Sequence, residues 1–165
     1  IDDLEVEKIG TTLRIRYRHS DNRQYPTYIT ITMPTLRGAN FSGASTSVVT
    51  GFKELNQFDF TLSGASVAQL EVESKAIELN LSGASKLTIT GVSNSMHATV
   101  SGASVFSGFA FPVESAVVDA SGASKMNVKA NVSLDAKASG ASTILYRGTA
   151  TVTSNASGAS SIQQD

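Results

Sequence analysis

Apolar and polar residues alternate along most of this chain, and the alternation falls back into phase every 18 to 21 residues. The marker of each phase is the tetrapeptide Ser-Gly-Ala-Ser, which starts at Ser42, Ser63, Ser82, Ser101, Ser121, Ser139 and Ser157. One position before it stand Leu62, Leu81, Val100, Ala120, Ala138 and Ala156; three before, Phe60, Leu79, Ala98, Val118, Ala136 and Ser154; five before, Phe58, Ile77, Met96, Ala116, Leu134 and Val152. The rows between are mostly polar. Period-two alternation of this kind predicts a half-buried strand running into each tetrapeptide. A second strand is expected to leave it, with Ala68, Leu87, Phe106, Met126 and Ile144 inside and Glu71, Thr88 and Lys129 outside. What remains of each repeat varies in length and is rich in Gly, Ser and Asn, as in Gly91-Val92-Ser93-Asn94, and reads as a return turn.

A repeat of about 20 residues that drifts by one or two marks a solenoid, each repeat being one coil stacked on the last. The expected fold is all-β, a single-stranded parallel β-helix of about seven coils of 18–21 residues. Right-handed winding is expected from the bias of parallel crossovers. The tetrapeptide suits a corner repeated at one place in every coil. Gly reaches positive φ without a steric penalty, and Ala and Ser are small enough to nest about 4.8 Å from their equivalents in the next coil. Because the residue before the tetrapeptide shrinks from Leu to Ala along the chain, the core is expected to taper, with its bulkiest packing near residues 55–90.

The chain is read as one domain over 1–165, with N-terminal strands or incomplete coils at 1–41, Ser-Gly-Ala-Ser coils at 42–160 and a tail at 161–165. It opens on Ile1 rather than Met, as expected of a processed or trimmed chain. Leu4–Glu7, Thr12–Arg18 and Tyr28–Met33 alternate as strands, with a polar turn over His19–Pro26. Arg14, Arg16 and Arg18 share a face opposite Leu13, Ile15 and Tyr17. That basic row reads as a solvated face that blunts a sheet edge rather than as a binding surface.

Composition narrows the function classes. Charged residues make up 16% of the chain and the net charge is −1, so no nucleic-acid partner is expected. Without cysteine there is neither a disulfide nor a thiolate metal site. No apolar run is long enough to span a membrane as a helix. The two histidines, His19 and His97, are far apart, no phosphate loop is present, and neither a cofactor nor a metal is expected. Many parallel β-helices cleave polysaccharides, and such chemistry needs converging carboxylates. The best candidate is the outward row four positions before the tetrapeptide: Asp59, Glu78, His97 and Asp135. On stacked coils the first three would lie about 5 Å apart. Val117 and Thr153 interrupt the row and no Lys or Arg joins it, so the favoured reading is a polar surface row with no catalytic residue. Phe106, Phe109 and Phe111 cluster in one coil. A sugar-stacking platform is one reading; Phe106 in the core and Phe111 packed at the turn is the favoured one.

The repeated Ser-Gly-Ala-Ser, preceded by "LRIRY…YITITMPTLRGANFSGAS", resembles the head GIN domain of auto-transporter adhesins, a family common in Bacteroidetes. The resemblance runs from about Ile1 to Ser160 and departs at the start, where family members carry further strands. It implies a parallel β-helix and an exported protein at the cell surface, outer membrane or periplasm, and it brings no catalytic residues. The expected function is a non-enzymatic surface module, an adhesin or structural spacer that presents a flat face to a glycan or a surface protein. The alternative is a polysaccharide-active enzyme using the acidic row. Self-association is a further expectation, because solenoid ends present unpaired sheet edges.

Overall fold

The computed structural model describes residues 3–19 and 26–165. Two compact units emerge, Ile1–Met33 and Pro34–Asp165. Apart from its end residues, the polar turn expected over His19–Pro26 lies outside the described residues. Among the described residues there is no helix.

The first unit holds a hairpin of β1 (Leu4–Ile9) and β2 (Thr12–Tyr17), paired antiparallel around Gly10 at φ 62°. The arginine face is solvated, as expected, and it also has a partner. Glu5 and Glu7 stand opposite Arg16 and Arg14, and Arg16 Nε lies 2.6 Å from Glu5 Oε2. Exposed pairs of this kind contribute about 0.2–1 kcal/mol each. The strand expected over Tyr28–Met33 does not form. Alternation describes a segment with two faces, but a strand also needs a neighbour, and this segment has no ladder among the described residues. Tyr28 is 89% exposed, and Ile29 and Ile31 are about half exposed.

The second unit is a parallel β-solenoid of about seven coils. β3 (Gly38–Phe41) pairs with the end of β4 (Thr46–Leu62). The ladder continues through β5 (Val67–Leu81), β6 (Lys86–Val100), β7 (Val105–Ala120) and β8 (Lys125–Ala138). The last coils are shared by β9 (Thr143–Arg147), β10 (Thr151–Ala156) and β11 (Ser161–Gln164). In the central coils one long strand fills the interval between successive tetrapeptides. The two strands and return turn expected there are therefore one element. Gly91-Val92-Ser93-Asn94 lies inside β6, where Gly91, Val92 and Ser93 pair with Val72, Glu73 and Ser74. The bend keeps its ladder toward β5, whose chain bends at the same place, while toward β7 the register slips between Thr88 and Ser93. Gly91 absorbs the bend at φ 113°, and Ser74 Oγ donates to Ser93 Oγ at 3.2 Å on the inside of it.

The tetrapeptide forms the sharp corner. Its glycines have φ between 72° and 83°. At each corner the alanine N–H donates to the glycine carbonyl one coil back: Ala84 to Gly64, Ala103 to Gly83 and Ala123 to Gly102, at 2.7 to 2.8 Å. The approach is so close that a Cβ on Gly122 would fall 2.7 Å from Gly102 O, and one on Gly83 would come closer still to Gly64 O. Gly43, at the first corner, has open space where a Cβ would be. The closing serine points inward and is fully buried at Ser66, Ser104 and Ser142. Its hydroxyl serves backbone carbonyls that face the corner: Ser142 Oγ lies 2.9 Å from Ser139 O and 3.0 Å from Ala120 O.

Inside the coils the apolar rows form one continuous core. The expected taper is only partial. Phe58, Phe60, Leu79 and Leu87 fill the early coils, but Phe106 and Phe111 are also fully buried. They share β7 with Ala116, Val118 and Ala120, so large side chains on one stretch of the coil compensate small ones on another and keep the interior filled. This places Phe106 and Phe111 in the core, away from any sugar platform.

Two substitutions test the corner. Gly83→Ala is expected to cost about 2–5 kcal/mol, combining the left-handed φ with overpacking against Gly64, whereas Gly43→Ala should cost only about 1–2 kcal/mol for φ. Equal shifts of the two urea midpoints would contradict the stacking account. Ser142→Ala should cost about 1 kcal/mol, while Ser139→Ala, on the solvent side of the same corner, should stay within about 0.5 kcal/mol. Thermal unfolding of the pair checks this.

Candidate functional site

The strand stretch leading into each corner exposes alternate residues on one face, and ladder register stacks them. Asp59, Glu78, His97, Val117 and Asp135 are successive Cα partners across β4 to β8, and Thr153 of β10 follows Asp135. The register therefore brings Asp59, Glu78 and His97 onto adjacent strands, and it sets Asp135 apart from His97 by the intervening Val117. Two residues earlier runs a second row: Gln57, Ala76, Ser95, Ser115, Ser133 and Thr151. It is a row of short side chains except at Gln57.

The difference in side-chain length between the rows creates relief on the sheet. An open groove of about 660 Å³ runs along the short row, with Glu78, His97, Val117, Asp135 and Thr153 beside it. Its lining comes from six successive coils, so the groove runs across the strands, parallel to the stacking direction. Asp59 is in the ladder but not in the lining; its Oδ1 accepts a hydrogen bond from Gln57 Nε2 at 2.8 Å.

No lysine, arginine, phenylalanine, tyrosine or tryptophan lines the groove. Among the described residues no ion pair holds Glu78 or Asp135, and no group of histidine and carboxylate side chains is placed to hold a metal. Glu78 and Asp135 are three coils apart, on the order of 14 Å at 4.8 Å per coil. Glycosidase carboxylates work about 5–10 Å apart. Outside the groove, the pKa of Lys53 is raised above the ordinary lysine value by its hydrogen bond to Glu73 and then by the charge of that carboxylate. The guanidinium of Arg147 covers the ring of Phe109 at 4.1 Å and pairs with Asp165, so the third phenylalanine of that coil is also occupied within the protein.

The short-side-chain row escapes a reading that stops at the first polar position outside the core. Its signal was present in the spacing, since small residues recur six positions before the tetrapeptide in five of the six coils.

No helix of the described residues is long and apolar enough to cross a membrane. No curated protein matches the chain. A crystal structure from Bacteroides fragilis, described as that of a putative adhesin, superposes with a TM-score of 0.87 over 99% of this chain and 77% of that one. At 18% identity it attests the fold. Residues 1–150 match the family described as "Putative auto-transporter adhesin, head GIN domain", and with this match over most of its length the chain belongs to that family.

Proposed function

We propose that this domain is a non-enzymatic, exported surface module that holds a glycan along the groove beside Glu78, His97 and Asp135. The observation that carries the reading is the groove itself: a trough six coils long, floored mainly by Ser and Thr hydroxyls. Hydroxyl rows exchange hydrogen bonds with a polyhydroxyl ligand. The strands under them have their N–H and C=O groups engaged in the ladder, so this face offers no edge for a peptide to extend. Family membership supports an adhesive role at the cell surface. The separation of Glu78 from Asp135 and the absence of a lysine or arginine in the lining speak against cleavage, and Asp59, one coil from Glu78, lies outside the lining with its Oδ1 bonded to Gln57.

The test is retention of the domain on immobilised polysaccharides, with release of new reducing ends measured in parallel. Retention without new ends is expected, and Ser115→Ile/Ser133→Ile, which fills the trough on the solvent side of the sheet, should abolish it. New reducing ends that disappear on Glu78→Ala would overturn the binding reading in favour of an enzyme. Retention that survives filling of the trough would place the glycan elsewhere.

A further inference from the structure

We infer that the groove selects a linear polysaccharide that carries free amino groups and no acidic ones. This rests on the glycan reading above and specifies its chemistry. The direction of the groove sets the shape of the ligand. Ser95, Ser115, Ser133 and Thr151 are Cα partners on four consecutive coils, each contributing one hydroxyl. With Gln57 and Ala76 the floor extends over five coil-to-coil steps, on the order of 24 Å. A site that narrow and that long fits an unbranched chain lying parallel to the stack, with each coil meeting a similar part of the polymer.

The charge of the lining sets the chemistry. Glu78 and Asp135 flank the trough with no lysine or arginine among the lining residues and no ion pair of their own among the described residues. Between them lie His97 and the half-exposed Val117. A uronate or sulfated chain would set its negative charge against both carboxylates, and like charges brought together in an interface oppose binding. An ammonium group on the sugar would instead find a carboxylate near each end of the trough. The remaining hydroxyls of the ligand would meet the serine row. No phenylalanine, tyrosine or tryptophan is present in the lining to stack a sugar face, so selectivity falls mainly to hydrogen bonds and charge.

The probes are glucosamine oligomers, N-acetylglucosamine oligomers and oligogalacturonate of matched lengths, with oligolysine as a non-sugar polycation, titrated into the intact domain by calorimetry. Glucosamine oligomers are expected to bind most tightly, the acetylated series more weakly, and oligogalacturonate not at all. Affinity should rise with oligomer length until the trough is filled and then level off. Glu78→Gln/Asp135→Asn, both on the solvent face, should weaken glucosamine binding by roughly tenfold and leave the acetylated series unchanged. Equal binding of the aminated and acetylated oligomers, unaffected by the double variant, would overturn the charge selection and leave the glycan reading standing. So would preference for oligogalacturonate. Oligolysine binding as tightly as the glucosamine series would reduce the site to a polycation contact and overturn the proposal. If none of the sugars binds, the glycan reading itself fails.

Discussion

Everything in the solenoid depends on one contact, the hydrogen bond from each corner alanine N–H to the glycine carbonyl of the coil before it. To make it, the chain must turn sharply with φ positive and bring two backbones closer than a Cβ allows. Glycine satisfies both demands, and its neighbours must be small for the corners to nest. The buried serine completes the corner: Ser142 Oγ serves Ser139 O within its own corner and adds a second bond to Ala120 O, which already accepts from Ser139 N–H. The tetrapeptide is thus the smallest sequence that turns the chain, keeps the ladder unbroken through the turn, and leaves no buried polar group at it unpaired.

Once the corner is fixed, register follows, and with it the identity of every stacked row. A residue four positions before one corner lies beside the residue four positions before the next, whatever the length of the coil between them. Length differences are absorbed away from the corner, at irregularities such as that between β6 and β7, where Ser107 to Val113 spans one residue more than its partner stretch Thr88 to Ser93. Rigid register turns single side chains into lines. Inward lines make the core, in which Phe106 and Phe111 offset the small residues of their own coil. Outward lines make surfaces with a direction, and where a short line runs beside a longer one the surface becomes a trough. A one-residue error in pairing would turn every such line inside out, so the surface chemistry is only as defined as the corners.

The parts of this structure that were legible beforehand are those tied to the corner by a constant offset. Phe58, Phe60 and Leu62 were recognisable as core, and Asp59, Glu78 and His97 as neighbours, because counting back from Ser-Gly-Ala-Ser needs no knowledge of the rest of the coil. Three features were not legible, each for a physical reason. Gly91–Asn94 has turn composition, but its bend matches that of β5, so Gly91 to Ser93 stay paired on that side and the segment remains strand. Tyr28–Met33 has strand alternation, but alternation says nothing about whether a partner exists. The groove depends on the contrast between two rows, the small one from Ala76 to Thr151 and the longer one beside it, and neither row alone indicates a concavity.

The most direct test of the corner as the organising contact is amide hydrogen exchange at Ala84, Ala103 and Ala123. These alanines are exposed to solvent, and as ordinary loop residues their amides would exchange within seconds to minutes. Bonded to the glycine carbonyl of the preceding coil, they should instead be protected as strongly as the buried strand amides of Leu79, Ala98 and Val118 in the same coils. Protection that drops sharply at the alanines while persisting in the strands would show that the corners are passive connections and that the core alone sets the register.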